Sequence, residues 1–177
     1  MLDHQSAGGN WEETSLPNPL LTVIVVESIE RVRQLAIVWT PAVEAAAALV
    51  VRGERLARED TIDGRQLAVV SVHAGIEALL YASLEAQGKR VMESNRTIGL
   101  RSALGKAQGT LQEKGVLGRA DALPGRPGVE RLAYLRDEIV HKGLAVSRTD
   151  IAEPIASGKG FCAYVSQAML GGDPFAD

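Results

Sequence analysis

A chain of 177 residues is long enough for one domain with a real core and too short for two comfortable ones. Apolar residues make up 46% of it but aromatic ones only 4%, so Ala, Leu and Val fill the interior, a composition that favours helices. The single cysteine, Cys162, excludes an internal disulfide and a cysteine metal cluster, and the formal charge of −3 excludes a uniformly basic surface.

Residues 1–18 hold Gly8, Gly9 and Pro17 among scattered polar residues and read as an N-terminal arm that Trp11 docks on the domain or on a partner. A single domain is expected over residues 19–172, with a tail at 173–177. Between 19 and 39, Leu20, Val23, Ile24, Ile29, Val32, Leu35 and Val38 keep helical spacing. Thr40 is suited to cap, and Pro41 to begin, a second helix reaching Arg58, unless the two segments form one kinked helix.

Residues 60–64 read as a capping loop. Residues 65–87 then form the most apolar helix, closed by Gly88, and the central one of the domain. Gln66, His73, Glu77 and Tyr81 recur along it as a narrow polar stripe. A glutamate in such surroundings needs a partner, for which Arg136 is the candidate and His73, one turn earlier, the alternative. After a basic link at 89–96, Thr97 is expected to cap a helix ending near Lys114, weakened by Gly99, Gly105 and Gly109. Residues 122–128 read as a loop, 130–143 as a short amphipathic helix and 144–149 as a connector. The last helix is expected from 150 to 170 with an interruption at 157–160. No strand is expected, and the fold class is all-α, a bundle of about five to six helices.

The helix at 130–143 carries the chemistry. Leu132, Leu135 and Ile139 form its apolar stripe, and Arg136, Asp137, Glu138 and His141 crowd its end before Gly143. Asp137 and His141 lie one turn apart on one face, so the carboxylate is placed to orient the imidazole. Arg136 points elsewhere, and a second surface has to close the site. An imidazole can move a proton to or from a ribose hydroxyl or its leaving oxygen, and a guanidinium stabilises a charged phosphorane.

Arg136-Asp137-Glu138-Ile139-Val140-His141 resembles the R-x4-6-H motif of the HEPN superfamily, in which a polar residue follows the Arg. The apolar helix carrying Glu77 resembles another element of that family, so the likeness spans roughly residues 64–169. It implies a HEPN-like helical bundle working as a homodimer whose two motifs meet, and a metal-independent endoribonuclease of the defence or toxin type that leaves a 2′,3′-cyclic phosphate. In that reading Arg136 and His141 are catalytic with Asp137 beside them, and Glu77 and His73 support them. Lys142, Arg131 and Arg101 contact RNA, and an antitoxin or defence-system protein is a further partner. Position 143 is Gly where toxins of this kind paired with a nucleotidyltransferase commonly have Tyr, so regulation at that position is not expected. Many members of the superfamily are non-catalytic, which keeps open an RNA- or nucleotide-binding module and a helical interaction subunit.

Residues 89–148 carry 12 basic and 6 acidic residues, whereas residues 1–30 carry five acids and no Lys or Arg. The motif therefore lies in the basic part, as a phosphate-bearing ligand requires. His4, His73 and His141 are scattered, Ser157-Gly158-Lys159-Gly160 lacks the rest of a phosphate-binding loop, and no cofactor or metal is expected. The start of the chain lacks a signal-peptide pattern, and no uncharged apolar run approaches the ~20 residues of a membrane span. A cytoplasmic protein without membrane contact is expected.

Overall fold

The structure, a computed structural model, describes residues 40–176. The arm at 1–18, the docking of Trp11 and the helix at 19–39 lie outside the described residues. Among those described are five helices and one small ribbon, an all-α bundle as expected: α1 (Pro41–Leu56), α2 (Ile62–Ala86), β1 (Met92–Glu93), β2 (Arg96–Thr97), α3 (Leu100–Glu113), α4 (Arg126–Lys142) and α5 (Arg148–Leu170).

Helix α1 begins where Thr40 and Pro41 said it would, with the Thr40 hydroxyl accepting from Val43 N at 3.4 Å. Its buried residues, Val43, Ala46, Ala47, Val50 and Gly53, form a three-and-four stripe of small side chains. Thr61 caps α2 by accepting from Gly64 N at 3.0 Å, so α2 starts at Ile62, inside the stretch expected to be a loop. Glycines bring the two helices close. A Cβ on Gly75 would lie 2.8 Å from the Ala46 carbonyl oxygen and 2.7 Å from Val50 Cγ2, and one on Gly53 would lie 2.9 Å from the Ala68 carbonyl oxygen.

Helix α2 packs on all four other helices of the described chain. Its mean hydropathy of 1.6 over an 18-residue window meets the composition of a membrane span, and 56% of that window is buried inside the bundle, a property that core helices share. Beyond it, Met92 pairs with Thr97 and Glu93 with Arg96 around Ser94 and Asn95, whose φ values of 51° and 62° are left-handed. Thr97 therefore belongs to a ribbon where no strand was expected, and Gly99 takes the N-cap position of α3. Burial explains this. Val91 and Ile98 enter the core as a pair, Ile98 N donates to Val91 O at 2.9 Å, and the backbone between them has to turn back. Despite Gly105 and Gly109, α3 is continuous, because Ala103, Leu104, Ala107 and Leu111 anchor one face.

Helix α4 starts at Arg126, earlier than the expected loop allowed. Gly125 at φ 75° turns the chain in, Pro127 fits the first turn, and Gly128 sits against Ser157. Val129, Leu132 and Leu135 are buried, and Gly143 at φ 66° ends the helix, its N–H bonding Ile139 O at 3.0 Å while Leu144 N bonds Glu138 O at 3.3 Å. In α5 a reciprocal capping box joins Ser147 and Asp150. The interruption expected at 157–160 is absent, and the helix runs through Pro154 as well. The reason is tertiary: a Cβ on Gly158 would lie 2.8 Å from both Ile76 Cδ1 and Leu132 Cδ1, so glycine lets α5 lie flat against α2 and α4. Cys162 is buried on the same face, its thiol pKa pushed up to about 12 by burial, as suits a packing residue rather than a nucleophile.

Gly75→Ala tests the close crossing. Alanine gains about 1 kcal/mol in helix propensity, but overpacking against the Ala46 carbonyl costs about 1–3 kcal/mol. The variant is expected to unfold at a lower urea concentration than the wild type. An unchanged or higher midpoint would show that the backbones have room to separate.

Candidate functional site at the seam of α2 and α4

Helices α2 and α4 run antiparallel, and two side chains fix their register. Arg65 Nε donates to Val146 O at 2.8 Å, and Gln66 Nε2 donates to Leu144 O at 2.8 Å. Gly158 of α5 sits against both Ile76 and Leu132, and His73 lies close enough to Arg136 and Asp137 to feel their charges, which puts His73 near the height of that pair. The polar stripe of α2 thus faces the motif helix at the height of Arg136 and Asp137.

Within the stripe, His73 Nδ1 lies 3.5 Å from Glu77 Oε2. The Tyr81 hydroxyl donates to Ile98 O at 2.7 Å and stands 3.5 Å from Glu77 Oε1. Having one proton, Tyr81 commits it to the shorter bond. Burial, then the Glu77 charge, push the phenol up to about 12. His73 is buried, and desolvation lowers its pKa below the ordinary value. Glu77 works against that shift, Arg136 adds to it, and Asp137 again opposes it. The partner of Glu77 is therefore His73 rather than Arg136, because an imidazole one turn back on the same helix is reached without bending a side chain across the seam.

Arg136 is partly exposed, and its Nη1 bonds Asp137 Oδ1 at 2.8 Å. The expectation that Asp137 orients His141 is not met in this arrangement. The carboxylate goes instead to the guanidinium of the adjacent residue. His141 is exposed in the last turn of α4. Arg136 and His141 are about 140° apart around the helix, so one copy of α4 does not aim both at one point.

The basic residues are less gathered than the local charge excess suggested. Lys142 Nζ is held by Glu138 Oε1 at 2.7 Å, and its pKa is raised by that hydrogen bond first and by the Glu138 charge second. The Arg131 guanidinium lies over the Tyr134 ring, 5.1 Å from its centroid. These two share the flank of α4 away from Arg136. Arg101 stands on the other side, by a shallow cleft of about 290 Å³ between α3 and α4 that Leu104, Ala133, Tyr134 and Asp137 also line. Arg126 bonds Glu130 at 2.9 Å, so ion pairs take up much of the positive charge along α4.

Sequence reasoning missed Tyr134 and this cleft. An exposed aromatic at 134 among buried leucines at 132 and 135 was the available signal. Among the described residues no three His, Cys, Asp or Glu side chains are placed to hold a metal ion. Comparison with family models, with curated proteins and with solved structures gave no match to this chain.

The lowered His73 pKa makes stability depend on pH with a definite sign. In the unfolded chain the imidazole takes up its proton near pH 6.5, whereas the folded chain resists it, so protons favour unfolding below that point. Stability is expected to fall as pH drops from about 6.5 toward the folded-state value, and His73→Gln should flatten that part of the curve. Thermal unfolding of both proteins across that range checks it. Identical slopes would remove His73 as the titrating group.

Proposed function

We propose that the protein is a metal-independent endoribonuclease of the HEPN kind that acts as a homodimer in the cytoplasm. The observation that carries this reading is that Arg136 and His141 both reach solvent from one helix, with His73 and Glu77 of α2 close to Arg136. The ribose 2′-hydroxyl attacks the adjacent phosphorus, the bond to the 5′-oxygen breaks, and a 2′,3′-cyclic phosphate remains. Imidazole moves the protons, and guanidinium stabilises the charge that collects on the non-bridging oxygens.

Because Arg136 and His141 diverge, the reading needs a second copy, and the surface next to them suits one. Leu67, Val140 and Leu144 expose 52%, 51% and 37% of their area, and the register of α2 on α4 brings them to the same end of the seam. A second copy seated there would cover the apolar residues and bring its own α4 toward the first. A role in defence or as a toxin, with an antitoxin as partner, accompanies the resemblance.

A second reading is an RNA- or nucleotide-binding module that does not cut. The bond between Arg136 and Asp137 favours it, because a guanidinium already neutralised has to exchange that partner before it can serve a phosphate.

In buffer with EDTA the protein is expected to cleave single-stranded RNA, to leave a 2′,3′-cyclic phosphate and to spare the 2′-deoxy analogue. His141→Ala should lower the rate about 10²–10⁴-fold, and Arg136→Ala should do the same or more. Intact RNA bound by both wild type and variants would select the non-cleaving reading, and intact RNA without binding at low salt would reject both. Val140→Glu is expected to convert dimer to monomer in light scattering and to take activity with it.

A further inference from the structure

A second imidazole stands in the seam. His73 lies near Arg136 and Asp137, and His141 follows Asp137 by one helical turn, about 6 Å further along α4. His73 Nδ1 faces the Glu77 carboxylate at 3.5 Å, which leaves Nε2 as the nitrogen turned away from that carboxylate. Tyr81, whose proton goes to the Ile98 carbonyl, stands 3.5 Å from the other oxygen of the Glu77 carboxylate. The carboxylate, imidazole and guanidinium come from two helices of one chain and require no partner to assemble.

We propose that His73 is a catalytic residue, the base that accepts the 2′-hydroxyl proton at Nε2, and that Glu77 is its positioning residue. This rests on the ribonuclease reading above and changes its division of labour. The oxygen of the 2′-hydroxyl bonds phosphorus as its proton passes to Nε2. The 5′-oxygen leaves with a proton given by His141 of the second copy. The charged and titratable groups around His73 are Glu77 and Tyr81 on α2 and Arg136 and Asp137 on α4. Burial keeps the imidazole neutral to lower pH than usual, so the base form is present throughout the neutral range, and Glu77 limits how far the pKa falls. The side chain retains 10% of its surface exposed, and a 2′-hydroxyl would meet it through that opening at the seam.

The experiment is the pH dependence of kcat/KM on a single-stranded RNA oligonucleotide for the full chain, His73→Asn and Glu77→Gln. Asparagine keeps a donor near the position of Nδ1 but has no basic nitrogen at Nε2. His73→Asn is expected to lose about 10²–10⁴-fold. The acidic limb of the wild type should have its midpoint below pH 6.5, and Glu77→Gln should move that limb lower still, because it removes the charge that holds the pKa up. If His73→Asn fails to fold, the position of the limb in Glu77→Gln decides. Cleavage by a folded His73→Asn within threefold of wild type, or a limb that Glu77→Gln does not move, overturns the proposal and leaves the ribonuclease reading standing. A wild type that cuts no RNA removes both.

Discussion

The close crossing of α1 and α2 sets the rest of the bundle. Gly53 meets the backbone of α2 at Ala68, and Gly75 meets the backbone of α1 at Ala46, so each helix offers a gap where the other has its bulk. Dispersion forces fall off steeply with separation, and two helices this near make many short contacts that larger side chains would prevent. Buried on this side by α1, α2 still has surface for α3, α4 and α5, and glycine at 158 gives α5 the same close approach to Ile76 and Leu132. The core is continuous because its central helix is approached closely from several directions.

Such a helix leaves little place for polar groups, and those it has are used to fasten other elements. Arg65 and Gln66 bond the carbonyls of Val146 and Leu144 in the connector after α4, whose backbone acceptors have no helical partner. Tyr81 bonds the carbonyl of Ile98 and holds the return of the ribbon. His73 Nδ1 and the Glu77 carboxylate lie 3.5 Å apart between these two anchorages. The polar stripe is thus part of the fold's attachment and also the wall of the candidate site, so the position of Arg136 against it is fixed by the same bonds that register α2 on α4.

Local features of the sequence were read correctly where a side chain acts on its own neighbours. Thr40 with Pro41 gave the start of α1, Gly143 the end of α4, and the spacing of Leu132 and Leu135 its buried face. The stripe of Gln66, His73, Glu77 and Tyr81 was visible as a periodicity, and so was the option of a bond between His73 and Glu77. The misreadings came where a distant contact outweighs a local preference. Glycine at 158 and proline at 154 favour a break in an isolated helix, but Gly158 is the residue that allows α5 to pack, and the packing keeps the helix whole. Val91 looks like part of a basic link and Ile98 like the first turn of a helix until the core takes both in, and the turn at Ser94 and Asn95 follows from their pairing.

By itself the sequence determined the helical class, most of the caps, and the presence of an Arg and a His five residues apart near the end of an amphipathic helix. Those properties depend on neighbours within a turn or two, where backbone hydrogen bonds and side-chain spacing act. Only the tertiary structure decided what surrounds the polar side chains: burial of His73 beside the charges of Arg136 and Asp137 from another helix, the carbonyls of Val146 and Leu144 for Arg65 and Gln66, and solvent for His141. Those neighbours come from elements far apart in the sequence, and distance and desolvation, which exist only once α2 and α4 are packed, make the choice.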